Sequence, residues 1–88
     1  MEIHDRFAAN LVQLRETSGL TQEELASRAS LHRTQVGLLE SGKRLPRLET
    51  LIKLAGALGV STADLTEGIA WEPIVTTAGG LKVSDPKQ

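Results

Sequence analysis

Residues 21–42 read Thr21-Gln22-Glu23-Glu24-Leu25-Ala26-Ser27-Arg28-Ala29-Ser30-Leu31-His32-Arg33-Thr34-Gln35-Val36-Gly37-Leu38-Leu39-Glu40-Ser41-Gly42. They spell two short helices joined by a tight turn. Thr21 followed three residues later by Glu24 is a capping box, in which the threonine side chain accepts from the amide of the glutamate and the glutamate reaches back. The first helix is therefore expected from Gln22 to about Ala29, with Leu25, Ala26 and Ala29 on its inner face. Ser30, Leu31 and His32 make the turn, and His32 takes the N-cap position, where Ser or Thr is more usual. The second helix is expected from Arg33 to about Ser41, ended by Gly42. Val36 and Leu39 face inward at a spacing of one helical turn, which leaves Arg33, Thr34, Gly37 and Leu38 outward.

On the N-terminal side, Ile3, Phe7, Ala8, Leu11, Val12 and Leu14 recur at the 3.6-residue period. They predict an amphipathic helix over residues 3–18, with Gly19 at the left-handed position that closes it. On the C-terminal side, Lys43 to Arg47 is a basic loop stiffened by Pro46. Leu48, Leu51, Ile52, Ala55 and Leu58 then repeat at helical spacing, and Gly59 ends that helix. Ser61-Thr62-Ala63-Asp64 is a second capping-box start, opening a short helix that includes Leu65 and ends by Gly68. Five helices joined by short loops predict an all-α fold, a compact five-helix bundle, over residues 1–68.

From residue 69 the character changes. Ile69-Ala70-Trp71-Glu72-Pro73-Ile74-Val75-Thr76-Thr77 is β-prone, Ala78-Gly79-Gly80 is a turn signal, and Leu81-Lys82-Val83 is a second short run. Residues 69–88 therefore read as a separate tail, a weak β-hairpin followed by a frayed polar end.

With 88 residues there is room for one small domain. A chain of this size buries only about 60% of the surface its unfolded state exposes, so association with a second copy is a reasonable expectation. There are no cysteines. That excludes a disulfide framework and thiolate metal ligation, and makes a reducing cytoplasm the expected location. No membrane span and no signal peptide are expected.

The formal net charge is −1, but the charges are not evenly spread. Between residues 28 and 53 there are six basic residues (Arg28, Arg33, Lys43, Arg44, Arg47, Lys53) against two acidic ones (Glu40, Glu49). The rest of the chain is net acidic. A local basic surface of this kind is the footprint of nucleic-acid binding, though chance clustering on a solvated face gives the same pattern.

Several separated segments carry a family resemblance. Leu20-Thr21-Gln22-x-Glu24-Leu25-Ala26, then Val36, then Leu39-Glu40-Ser41-Gly42-Lys43-Arg44 with Pro46, then Leu51-x-x-Leu54-Ala55-x-Ala57-Leu58-Gly59-Val60 resemble the phage repressor/Cro-type (XRE) helix-turn-helix family. The resemblance covers roughly residues 5–68 and leaves the tail outside. It implies a repressor-like bundle that binds double-stranded DNA, with the helix over 33–41 in the major groove.

On that resemblance the base-reading candidates are His32, Arg33, Thr34, Gln35, Gly37 and Leu38. Arg33 has the fork that pairs with guanine O6 and N7, and Thr34 suits a thymine methyl or a phosphate. Gln35 is expected to point partly inward or toward the backbone. Leu38 departs from the family, whose members often carry a polar reader there; it suits a thymine methyl or a partner protein. Gly37 also departs; close approach to DNA and simple drift at an exposed site both account for it.

Gln22, at a helix N-terminus, and Ser41, Lys43, Arg44 and Arg47 are the expected phosphate contacts. For Lys43 and Arg44 the plainer reading is solubility. Glu40 is expected to pair with Arg15, bracing the recognition helix against the first helix; the alternative is an ordinary solvated glutamate.

A single module spans few base pairs, so a pseudo-palindromic operator bound by a homodimer is expected. The tail residues Ile69, Trp71, Leu81 and Val83 alternate to give one apolar face, a candidate for dimerisation or for covering the chain's own core. No catalytic constellation, phosphate loop or metal-ligand spacing is present, and no cofactor or metal is expected. The functional expectation is a sequence-specific transcriptional regulator, most simply a repressor, of a bacterium or phage. The rival is a protein-interaction adaptor, or an antitoxin with a toxin as its partner.

Overall fold

Reciprocal side-chain caps set where two of the helices begin. The computed structural model describes residues 2–73 and 79–84. It contains α1 (Ile3–Thr17), α2 (Gln22–Ala29), α3 (Arg33–Glu40), α4 (Leu48–Leu58), α5 (Thr62–Leu65), β1 (Ile69–Glu72) and β2 (Gly80–Val83). The expected β-character of residues 74–77, the turn residue Ala78 and the polar end over 85–88 lie outside the described residues.

At α2 the Glu24 amide donates to Thr21 Oγ1 at 3.0 Å, and the Thr21 amide donates to Glu24 Oε1 at 2.9 Å. The hydrogen bond from the Thr21 amide, with a smaller contribution from its side chain, holds the Glu24 carboxyl below its ordinary value. Ser61 and Asp64 repeat the box at α5. At α3 the box is one-sided. Gln35 Oε1 accepts from the His32 amide at 3.0 Å, while the imidazole caps nothing.

Two helix ends differ from expectation by one residue: α1 stops at Thr17 and α3 at Glu40, with Ser18 and Ser41 as caps. Gly42 then takes φ +74°, its amide donates to the Leu39 carbonyl at 3.2 Å, and the Lys43 amide donates to the Leu38 carbonyl at 3.0 Å. This is the Schellman closure, and it turns the chain sharply out of α3 into the basic loop.

The turn between α2 and α3 closes in the same way but without a glycine. Ser30 sits at φ 54°, ψ 47°, with its amide donating to the Ser27 carbonyl at 3.3 Å and the Leu31 amide to the Ala26 carbonyl at 2.8 Å. A left-handed residue with a Cβ costs about 1 kcal/mol. Ser30→Gly is therefore expected to stabilise the protein by about 1 kcal/mol, read as a rise in the urea midpoint at unchanged slope.

The fully buried side chains are Phe7 and Leu11 of α1, Leu25 of α2, Val36 of α3, Leu54 of α4 and Leu65 of α5. Each helix thus contributes at least one residue to a single core, and Leu14, Leu31, Leu51 and Ile69 pack at its edge. The inner face of α4 differs from the expected one. Leu54, Ala55 and Leu58 are buried and Leu51 is half-buried, whereas Leu48 and Ile52 point out at 72% and 55% exposure. Apolar residues extend more than halfway round this helix, so spacing alone could not choose the buried side.

The tail forms a two-stranded antiparallel sheet in which Ile69 faces Val83 and Trp71 faces Leu81. It is fastened to the helices by two polar residues of α1. Arg6, itself buried, donates from Nε to the Glu67 carbonyl at 2.9 Å and from Nη1 to the Ser84 carbonyl at 2.7 Å. One turn later Asn10 Nδ2 donates to the carbonyls of Leu65 and Glu67, both at 2.9 Å. The hairpin is thereby docked on the helical bundle. Its inner pair, Ile69 and Val83, is half-buried; its outer pair, Trp71 and Leu81, is exposed.

Candidate nucleic-acid interface

The orientation of α3 is set by a polar cluster beneath it. Arg15 Nε donates to Glu40 Oε2 at 2.6 Å and Nη2 donates to Oε1 at 3.1 Å, a two-pronged pair across α1 and α3. Arg15 Nη1 also donates to the Leu20 carbonyl at 2.7 Å, at the entry to α2. Gln22 Nε2 completes the cluster, donating to Glu40 Oε1 at 2.9 Å. One carboxylate thus ties together three helices. Both charged side chains are largely withdrawn from water, at 15% and 6% exposure for Arg15 and Glu40. The hydrogen bonds to Glu40 raise the Arg15 pKa above its ordinary value, so the guanidinium is permanently charged.

Above this cluster lies the outward edge of α3. His32, Arg33, Thr34 and Gln35 are exposed, and Gly37 and Leu38 are half-buried one turn on. The Gln35 carbonyl oxygen is occupied by the cap at His32, which leaves its amide nitrogen to donate outward. Arg33 has a neighbour on α2: its Nε lies 3.5 Å from Glu23 Oε1, with both side chains mostly in water. An exposed pair at that distance is worth only a few tenths of a kcal/mol, so the fork is easily redirected. Glu23 was not among the residues singled out from the sequence.

Lys43, Arg44 and Arg47 are exposed on the loop and at the start of α4. Gln35, Leu38, Leu39, Arg44 and Thr50 border a small hollow of about 60 Å³. A wider polar groove of about 430 Å³ runs past Gln35, Arg44, Arg47 and Lys53. The basic loop therefore adjoins the α3 edge directly. Ser41 and Gln22 are less available. The Ser41 hydroxyl donates to the Leu38 carbonyl at 3.1 Å, and the Gln22 amide is turned onto Glu40. What Gln22 still offers an anion is the N-terminus of α2 on which it sits.

Gly37 has no neighbour in the fold. A Cβ built there meets nothing within 4 Å. Glycine inside a helix costs about 1 kcal/mol against alanine, and no packing within the chain accounts for it. Gly37→Ala is expected to stabilise the protein by about 1 kcal/mol in chemical denaturation while weakening DNA binding in a gel-shift assay. Unchanged DNA affinity would assign the glycine to drift.

Comparison with known proteins agrees with this geometry. Residues 11–65 match the family model described as Helix-turn-helix, a span that includes α2, α3, α4 and α5 and stops short of the hairpin. The chain belongs to the XRE-type helix-turn-helix family. It is 40% identical over 65 residues to the uncharacterized HTH-type transcriptional regulator y4dJ of Sinorhizobium fredii, covering 74% of this chain and 84% of that one. It is 42% identical over 65 residues to the control protein C.SmaI of Serratia marcescens, covering 74% and 77%.

Among solved structures, the restriction-modification controller protein C.AhdI from Aeromonas hydrophila superposes with a TM-score of 0.69 at 39% identity, covering 70% of this chain and 94% of that one. On this membership the protein is a DNA-binding transcriptional regulator and not an enzyme. Among the described residues there is no group of three His, Asp or Glu placed to hold a metal ion, and no helix is long and apolar enough to cross a membrane.

Proposed function

We propose that this regulator reads double-stranded operator DNA with α3 in the major groove, as a homodimer on a pseudo-palindromic site in the cytoplasm. The carrying observation is the contiguity of an exposed α3 start, His32-Arg33-Thr34, with the basic groove past Arg44 and Arg47. A groove-seated helix needs both a reading edge and a flanking phosphate clamp. Residues 1–68 supply them, with Arg33 and Thr34 reading bases, Leu38 reaching a thymine methyl, and Gln35 donating from its free amide. Lys43, Arg44, Arg47 and the α2 N-terminus at Gln22 hold phosphates. Ser41 serves chiefly to close α3. Occupying an operator over a promoter would make the protein a repressor.

A gel-shift assay with DNA from the protein's own promoter region, at two salt concentrations, tests the reading. Selective retention that weakens steeply at the higher salt is expected, because each phosphate contact releases counterions. Binding that is unselective, or indifferent to salt, would move the reading to a protein-interaction adaptor or a toxin-binding antitoxin.

A further inference from the structure

We infer that Gln35 and Leu38 together read one thymine in each half-site, with the Gln35 amide donating to its O4 and the hollow beside Leu38 taking its 5-methyl group. The inference rests on the DNA reading proposed above and adds which base this part of α3 selects.

The first observation is how Gln35 is held. A glutamine that reads adenine uses both ends of its amide, the oxygen accepting from N6 and the nitrogen donating to N7. One end of Gln35 is already committed. Its Oε1 accepts from the His32 amide at 3.0 Å, and because that partner is an N–H, the oxygen and not the nitrogen must face it. The exposed side chain therefore offers DNA its Nε2, which is a donor only. A donor selects a base acceptor, either O4 of thymine or O6 and N7 of guanine. It rejects cytosine, whose N4 amino group is also a donor.

The second observation separates thymine from guanine. Leu38 follows Gln35 by three residues and so lies beside it on the same side of α3. The two border a hollow of about 60 Å³, completed by Leu39, Arg44 and Thr50. Leu38 is half-buried and Leu39 buried, so the α3 wall of the hollow is hydrocarbon. Its volume suits a methyl group and falls well short of the roughly 150 Å³ that takes a benzene-sized ring. Of the four bases only thymine carries a methyl on its major-groove edge, next to the O4 acceptor. A donor beside an apolar recess is the complement of an acceptor beside a methyl.

The test uses the operator retained in the gel-shift assay, with four bases compared at one position of each half-site. Each thymine is first replaced in turn by deoxyuridine, which keeps O4 and loses the methyl. One position is expected to weaken binding by about fourfold for each half-site, the worth of burying one methyl-sized group. Leu38→Ala should abolish that difference. At the same position, 5-methylcytosine paired with guanine keeps the methyl and exchanges O4 for an amino group. Wild type should bind it roughly tenfold more weakly than thymine, and unmethylated cytosine more weakly still. Gln35→Glu keeps an oxygen for the His32 amide and exchanges the free donor for an acceptor. It should reverse the order and prefer 5-methylcytosine to thymine, because a glutamate accepts from cytosine N4. Every readout is a ratio between duplexes, so a partly folded variant still reports it.

Three results would overturn the inference: no thymine sensitive to loss of its methyl, a deoxyuridine penalty that survives Leu38→Ala, or a Gln35→Glu variant that still prefers thymine to 5-methylcytosine. Each leaves the DNA reading intact, since selectivity for the unmodified operator is measured in the same assay. A wild-type chain that retains no duplex selectively would overturn both.

Discussion

Glu40→Ala is expected to destabilise the protein by ~3 kcal/mol, against the few tenths typical of a surface change. For a domain this size that is a fall of roughly 12–24 °C in the thermal midpoint. The magnitude follows from what the substitution leaves behind. The Arg15 guanidinium would remain charged and largely withdrawn from water, keeping only the Leu20 carbonyl as an acceptor. Gln22 would lose the partner for its amide as well. Removing one member of such a pair is far more damaging than removing both, because a buried charge without an acceptor carries the whole desolvation penalty.

The double variant Arg15→Met with Glu40→Leu is therefore expected to recover most of the loss, a coupling read from the four corners of a double-mutant cycle. A loss below about 0.5 kcal/mol for Glu40→Ala would show that the cluster is an ordinary solvated pair. The functional consequence is separate from the stability one. Loosening this cluster frees α3 from α1, so DNA selectivity should fall even at temperatures where the variant stays folded.

How much of this was legible in the sequence depends on the range of the interaction. Local signals carried well. Thr21 with Glu24 and Ser61 with Asp64 placed two helix starts, because a capping box is closed within four residues. Gln35 was legible as well: its side chain does turn to the backbone, at the His32 amide.

Signals that need a partner distant in sequence carried less. Arg6 and Asn10 are polar residues four apart beside Phe7 and Leu11, and nothing near them in sequence marks them as buried. They are buried because the chain returns past them at residues 65–67 and 84. That return also docks the hairpin, for which the sequence left open both dimerisation and covering of the chain's own core. The face of α4 failed for a different reason. Leu48 and Ile52 obey the helical period as well as Leu54 and Leu58 do, and only the neighbouring helices decide between them. Ser30 gave no sign of its left-handed backbone, since serine fits an ordinary turn equally well.

Arg33→Ala and Arg44→Ala are expected to damage DNA binding in two distinguishable ways. Arg33 stands at the exposed start of α3, with a partner, Glu23, that it can leave at little cost. If its fork seats on guanine, its removal should reduce discrimination at one base pair of each half-site by ~1–3 kcal/mol, or roughly 5- to 150-fold. Affinity for unrelated DNA should change little. Arg44 borders the groove beside Gln35 and Leu38, on the loop that flanks α3. Its removal should weaken binding to all sequences alike and lower the slope of log affinity against log salt by about one for each subunit.

The two predictions are read from one experiment. Binding of wild type and both variants is titrated over several salt concentrations, on the operator and on duplexes altered at one position of each half-site. Discrimination kept intact by Arg33→Ala would remove that residue from base reading and shift the burden to Thr34 and Leu38. An unchanged salt slope for Arg44→Ala would return it to the surface as a solubilising charge. Glu23→Gln is the internal control. It removes a carboxylate from the DNA-facing side and should tighten binding to every sequence, because the guanidinium no longer has a competing anion and a phosphate no longer meets a negative charge.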